Sequence, residues 1–169
     1  MGKERKNPVK IFKNLLIKKA GIIDFDGMFA MIPDWARQYH YDCIEKKHTE
    51  KSGPTGTYIE SIWLLERKVT YYIKFLIELE FVIRDMNTVV VEEPDGTKKK
   101  RNEGRFEIVF SSKMQKNYLK NFSEKKGEFS DFLRVIYEKY IGKLRLKSYE
   151  DKLEDESRDL LDELKERID

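Results

Sequence analysis

The sequence predicts an α+β fold: a twisted antiparallel sheet with four to six long strands, packed by helices from the N-terminal and C-terminal ends of the chain. Three observations predict it. From Val69 to Ile83 every odd position is apolar or aromatic, while the even positions from Lys68 to Arg84 are mostly polar. Successive strand side chains point to opposite faces, so this alternation describes a pleated segment with one greasy side. Coiled as a helix, Ile73, Phe75, Ile77, Leu79, Phe81 and Ile83 would spread around the whole cylinder. The second observation is "EEPDGT" after Val89, Val90 and Val91, where Pro and Gly suit successive positions of a tight hairpin turn. The third is the presence of capped amphipathic patterns on both sides of this region.

Taken in order, Asn7–Pro8 opens a helix, since Asn caps free N–H groups and Pro fits the first helical position. Val9, Phe12, Leu15 and Leu16 follow at spacings of three and four, and Gly21 suits the left-handed end. Lys10, Lys13, Lys18 and Lys19 surround that face, which makes a basic amphipathic helix. A second helix begins at the capping residue Asp26, with Met28, Phe29, Met31, Ile32, Trp35 and Ala36 as its apolar stripe. Pro33 inside this span either kinks the helix or starts a new one. Tyr39, Tyr41 and Cys43 alternate with His40 and Asp42, giving a strand to about Thr49, and "KSGPTG" at 51–56 is a loop.

Residues 57–68 read as strand, although Tyr58, Ile62, Leu65, Val69 and Tyr72 also fit a helical stripe. Fully extended, 57–85 would span about 90 Å at roughly 3.3 Å per residue, too wide for one domain. The strand therefore bends at a bulge near Arg67–Lys68, or its first half is helical, or it projects as an arm. "RDMN" at 84–87 is the next turn. After the hairpin, Lys98, Lys99, Lys100 and Arg101 form an exposed or edge strand whose charges oppose sheet-to-sheet addition. "NEG" turns again, and Phe106, Ile108 and Phe110 form a half-buried strand.

Ser112 caps a short helix through Tyr118 and Leu119, and "SEKKGE" is a loop. Ser130 caps a helix with Phe132, Leu133, Ile136 and Tyr140 on one face, ended by Gly142. Ser148 caps the last helix, whose seam of Tyr149, Leu153, Leu160, Leu161, Leu164 and Ile168 is interrupted at Glu156–Ser157. This helix clasps the domain edge, pairs with a partner helix or frays. The expected organisation is a single α+β domain over 1–142 with an acidic amphipathic helix over 143–169.

Charged residues make up 38% of the chain, well above the roughly 25% of ordinary globular domains. Lys and Glu dominate, and Gln occurs only at Gln38 and Gln115. That bias fits a thermophilic source, because ion desolvation is less unfavourable when hot. The net charge of +3 is too small to announce a polyanion partner, but it is unevenly spread. Residues 1–20 carry seven Lys/Arg against one Glu, and residues 148–169 carry ten Asp/Glu against four Lys/Arg. Cys43 is the lone cysteine, so no internal disulfide forms. No run of 18 apolar residues is present, and the start makes a poor signal peptide, so the expected location is cytoplasmic.

No chemistry-bearing motif stands out. His40, Asp42 and His48 share one strand face with Cys43 on the other, which opposes both a zinc site and a Cys–His nucleophile. Asp24 and Asp26 in "DFDG" are explained by helix capping. Glu78 and Glu80 lie about 7 Å apart on a wet strand face, without the pocket a glycosidase pair needs. Neither a phosphate-binding glycine loop nor a nucleophile elbow is present. The expectation is a non-enzymatic structural or interaction protein without cofactor or metal, a homo-oligomer or a subunit of a larger assembly. Its contact elements would be Lys10, Lys13 and Lys18 at the head and Tyr149, Leu153, Leu160 and Leu164 at the tail, together with the basic hairpin. The alternative is a nucleic-acid-binding protein using Lys98, Lys99, Lys100 and Arg101, joined by Arg105.

The order "DFDG", a helix with Trp35, "W…ERKVTYY" at 63–72, a valine strand with a DG turn, "GRFEI" at 104–108 and "FLRVIYEKYI" at 132–141 resembles a set of uncharacterised small archaeal proteins. The resemblance covers about residues 22–142 and implies an archaeal source but no activity.

Overall fold

Alternating residues build the middle of the chain. The structure, a computed structural model, describes residues 8–116, 118, 132, 135, 136, 139 and 142–169. Its elements are β1 (Val9–Ile23), α1 (Phe25–Gln38), β2 (Asp42–Gly53), β3 (Gly56–Lys68), β4 (Ile73–Glu92), β5 (Lys98–Lys116) and α2 (Lys143–Ile168). The strands form one antiparallel sheet in the order β1-β5-β4-β3-β2. β2 to β5 are a meander of successive hairpins, and β1 lies beside the last of them.

The odd positions of β4 from Ile73 to Ile83 are all buried, as are Phe106, Ile108 and Phe110 of β5. The register sets Leu79 against Phe110, Phe81 against Ile108 and Ile83 against Phe106. α1 and α2 close this face. Phe29 of α1 packs on Phe81 and Trp63, Phe25 packs on Phe106, and Leu153, Leu160, Leu161, Leu164 and Ile168 of α2 join the same core.

Several expected elements are corrected. The first segment is strand β1, not a basic helix. Register shifts fall between Lys10 and Phe12 and between Phe12 and Leu15, and Asn14 sits at φ 48°. These bulges insert extra residues into the alternation, so the apolar side chains drift to helix-like spacings. Helix α1 starts one residue earlier than expected, at Phe25, with Asp24 as its cap accepting from the Gly27 amide at 3.1 Å. A Cβ at Gly27 would fall 2.2 Å from the Asp24 carboxylate, so the cap needs glycine there. The helix runs through Pro33, which has no N–H for the Phe29 carbonyl. Tyr39 ends α1 and His40 turns at φ 61°, so β2 starts only at Asp42 and extends to Gly53, leaving a shorter loop than expected.

The long stretch 57–85 neither bends at Arg67–Lys68 nor projects; it is two paired strands, β3 and β4. The chain reverses at 69–72 without Gly or Pro. The Val69 and Thr70 amides donate to the Ile73 carbonyl, and Thr70 Oγ1 accepts from the Tyr72 and Ile73 amides at 3.1 and 2.9 Å. A threonine side chain thus serves as the turn's internal partner. "RDMN" is not a turn but a bulge inside β4, with Asp85 at φ 54° and a register shift between Arg84 and Asn87. Gly56 lies against it so closely that a Cβ would meet the Asp85 carbonyl carbon at 2.6 Å. "NEG" likewise stays within β5.

Ser112 does not cap a helix; it is buried in β5, and Ser148 lies inside α2, which starts at Lys143 after Gly142. Of the helix expected from Ser130, the described residues Phe132, Val135 and Ile136 are helical, while Leu133, Tyr140 and the 123–128 loop lie outside the described residues, as does Leu119.

Candidate functional site

Two of the side chains weighed for catalysis, Asp24 and His48, have structural partners. Asp24 caps α1 and receives Arg167 at 3.2 Å. His48 stands 3.1 Å from Glu45 and 3.8 Å from Glu50 in a half-exposed strand. Cys43 faces inward and is half-buried, and that burial pushes its thiol up to about 11, away from the reactive thiolate. Among the described residues no group of three His, Cys, Asp or Glu side chains is placed to hold a metal ion.

The most concentrated polar cluster joins α2 to α1 and the sheet. It occupies the interruption at Glu156–Ser157 that broke the apolar seam. Glu156 accepts from the Tyr41 hydroxyl at 2.6 Å and from Arg67 at 2.8 Å, and Arg67 also donates to the Tyr39 carbonyl at 2.6 Å. The Arg67 guanidinium stacks over the rings of Tyr41 and Phe75, at 4.7 and 5.2 Å. One turn on, Asp159 accepts from Trp35 Nε1 at 2.9 Å and from the Tyr39 hydroxyl at 2.8 Å. Ser157 donates to Ser112 at 2.9 Å, two small residues that let helix and strand approach. Burial, helped by the hydrogen bond to Glu156, pushes the Tyr41 phenol far above its ordinary range. The hydrogen bond to Asp159, with burial behind it, raises Tyr39 to about 12. Both phenols are therefore neutral donors at any physiological pH. With its donors and acceptors matched, the cluster is a clasp that orients α2 rather than a site with a free reacting group.

The other sheet face is not covered by α1 or α2. Cross-strand pairing lines up Ile44, Leu64, Glu78 and Ser111 in one row, and Lys47, Ile62, Glu80, Val109 and Leu16 in the next. Leu76 and Val82 flank these rows on β4. Charges at the margins are paired: Lys47 with Glu60 at 2.6 Å, Lys74 with Glu66 at 2.7 Å, Arg84 with Glu107 at 3.2 Å. Glu78 and Glu80 at the centre form no salt bridge or hydrogen bond with a described residue. They line an open depression with Asn14, Leu16, Val109 and Ser111.

The basic hairpin is a projecting ribbon. β1 pairs with β5 only as far as Asn102, and β3 pairs with β4 only as far as Met86. Beyond these points the strands around Val90 and Lys100 hold each other alone. The Lys98–Arg101 segment is thus an exposed arm of this ribbon, paired on one side only, as expected of an exposed or edge strand. Lys99 pairs with Glu93 at 3.0 Å, Arg101 lies 3.4 Å from Glu93 and 3.9 Å from Asp24, and Arg105 pairs with Asp85. Lys98 and Lys100 have no such partner among the described residues.

The remaining expected contact residues are placed differently from one another. Lys10, Lys13 and Lys18 lie on edge strand β1, and Lys18 is 3.6 Å from Glu107. Leu153, Leu160 and Leu164 are fully buried against the chain's own sheet, with Tyr149 half-buried beside them, so this seam clasps the domain and offers nothing to a partner. Sequence reasoning missed Arg67, Tyr41 and Glu156 as a unit. The one signal was a glutamate and a serine interrupting an otherwise apolar seam. No helix among the described residues is long and apolar enough to cross a membrane. No protein-family model matches the chain, and no curated protein matches its sequence.

Proposed function

We propose that the chain is a non-enzymatic interaction protein, a self-associating subunit that binds through the open face of its sheet. The observation that carries this reading is that face itself: half-buried Ile62, Leu64, Leu76, Val82 and Val109, with exposed Leu16 and Ile44 towards its edges, lie in adjacent rows around two carboxylates that make no ion pair among the described residues. Contiguous apolar surface rimmed by charge is the usual mark of a protein contact. The sheet edges are poorer candidates. β1 is bulged twice and carries exposed Lys10, Lys13 and Lys18, and β2 has a register shift between Glu45 and Lys47 within a highly charged segment. Bulges and lysines are the devices that discourage strand addition.

Light scattering across a concentration series tests the reading. The expected result is a mass above that of one chain at high concentration, reduced to one chain by Leu64→Lys with Leu76→Lys while the circular dichroism spectrum is kept. A single-chain mass at every concentration overturns it.

A second reading, nucleic-acid binding through the ribbon, is favoured by Lys98 and Lys100, which make no salt bridge with a described residue. Two phosphate contacts on a duplex give a salt slope of about −1.8 in log K against log salt. Titration of a duplex oligonucleotide at low salt, with no binding seen, removes this reading.

A further inference from the structure

The open face and the ribbon carry complementary charges that make no salt bridge among the described residues, although Lys47 lies in the row of Glu80 and Lys10, Lys13 and Lys113 line a depression with Glu78. Glu78 and Glu80 are alternate residues on one face of β4, and Lys98 and Lys100 are alternate residues on one face of the ribbon. Alternate strand positions are roughly 7 Å apart, so the two pairs share one spacing. Val90, paired across from Lys100, is 64% exposed and supplies an apolar contact beside the cations. Leu64, Ile62 and Val109 do the same beside the carboxylates. Glu92 lies directly opposite Lys98 on the same ribbon face, so Lys98 has an acidic cross-strand neighbour and Lys100 does not.

We propose that the ribbon of one copy seats on the open face of a second copy, Lys98 and Lys100 against Glu80 and Glu78. This rests on the reading of the open face as a contact surface and names what occupies it. Charge decides against the simpler two-fold arrangement. Placing two open faces centre to centre would bring four carboxylates together as apolar surface is buried, and like charges in a desolvated contact are strongly unfavourable. The ribbon is also accessible. Its arms reach about 17 Å at roughly 3.3 Å per residue, beyond the last pairings of β1 and β3. Ribbon and acceptor face are different surfaces, so the contact is head-to-tail, and repetition gives a ring or an open filament.

Two charge-reversed chains test the inference: Glu78→Lys with Glu80→Lys, and Lys98→Glu with Lys100→Glu. Each alone is expected to scatter light as one chain, 20.3 kDa in the parent sequence, while a one-to-one mixture regains the parent assembly because each ribbon now meets a face of opposite sign. Glu78→Gln with Glu80→Gln, which adds no charge, is expected to weaken assembly and guards against a folding defect in the lysine variant. If the ribbon variant assembles like the parent while Leu64→Lys with Leu76→Lys does not, the ribbon is not the occupant and the open-face reading stands. If both reversed chains fold but their mixture stays monomeric, the pairing is wrong. A parent chain that never assembles overturns the open-face reading as well.

Discussion

The two faces of the sheet handle polar groups in opposite ways. On the covered face most buried polar groups have a specific partner: Ser112 with Ser157, Tyr41 and Arg67 with Glu156, and Trp63 Nε1 donating to Ser61 at 2.8 Å. On the open face, charges pair near the margins, and two carboxylates at the centre make no ion pair with a described residue. There the described residues leave apolar side chains beside those carboxylates.

The largest expected effect comes from neighbouring residues that point to opposite faces. Phe81 is fully buried and Val82 is on the open face. Phe81→Ala should destabilise by about 3–5 kcal/mol, whereas Val82→Ala should cost about 1 kcal/mol or less, both read from denaturant midpoints. Equal losses would break the distinction between the faces. Next comes the clasp. Arg67→Met leaves Glu156 buried without its cation and should cost about 3 kcal/mol; Arg67→Met with Glu156→Leu should recover much of that loss. A double variant worse than the single would show that the ion pair contributes more than the strain of leaving it half-made.

The smallest effect is a pH dependence. Tyr39 ionises at about 12 in the folded chain against 10.0 ordinarily, held by Asp159, and Tyr41 is shifted the same way by burial. The folded state keeps these protons longer than the unfolded chain does. Their contribution is therefore complete below pH 10 and declines as pH rises from 10 towards 12. Absorbance titration should show Tyr39 and Tyr41 lagging exposed tyrosines such as Tyr71, and Tyr39→Phe should remove one of the late steps. Simultaneous ionisation of all nine tyrosines would contradict the clasp geometry.

Wherever alternation was uninterrupted, the fold was legible. The odd face of β4, the Phe106–Phe110 strand, the DG hairpin and α1 all follow from local pattern. Misreadings arose where one residue carried tertiary information. Asn14 and Asp85 take left-handed conformations within strands, and each bulge imitates something else: a helical spacing at one, a turn at the other. Thr70 makes a reversal that Gly and Pro did not announce. Ser112 has the chemistry of a cap, but its partner, Ser157, is 45 residues away. The candidate surface was legible in part. Glu78 and Glu80 were visible as a wet pair and Lys98–Arg101 as a basic hairpin. That Lys99, Arg101 and Arg105 are neutralised, while Lys98 and Lys100 make no salt bridge among the described residues, depends on folded distances.

The position of β1 has a consequence for how the chain reaches this state. β2 to β5 can zip in sequence, each strand meeting one just made, which keeps contacts local and quick to form. β1 is different: Val9 pairs with Met114. During synthesis the first strand must wait, unpaired, until the last has emerged, and a helper or a sister chain has that interval in which to meet it.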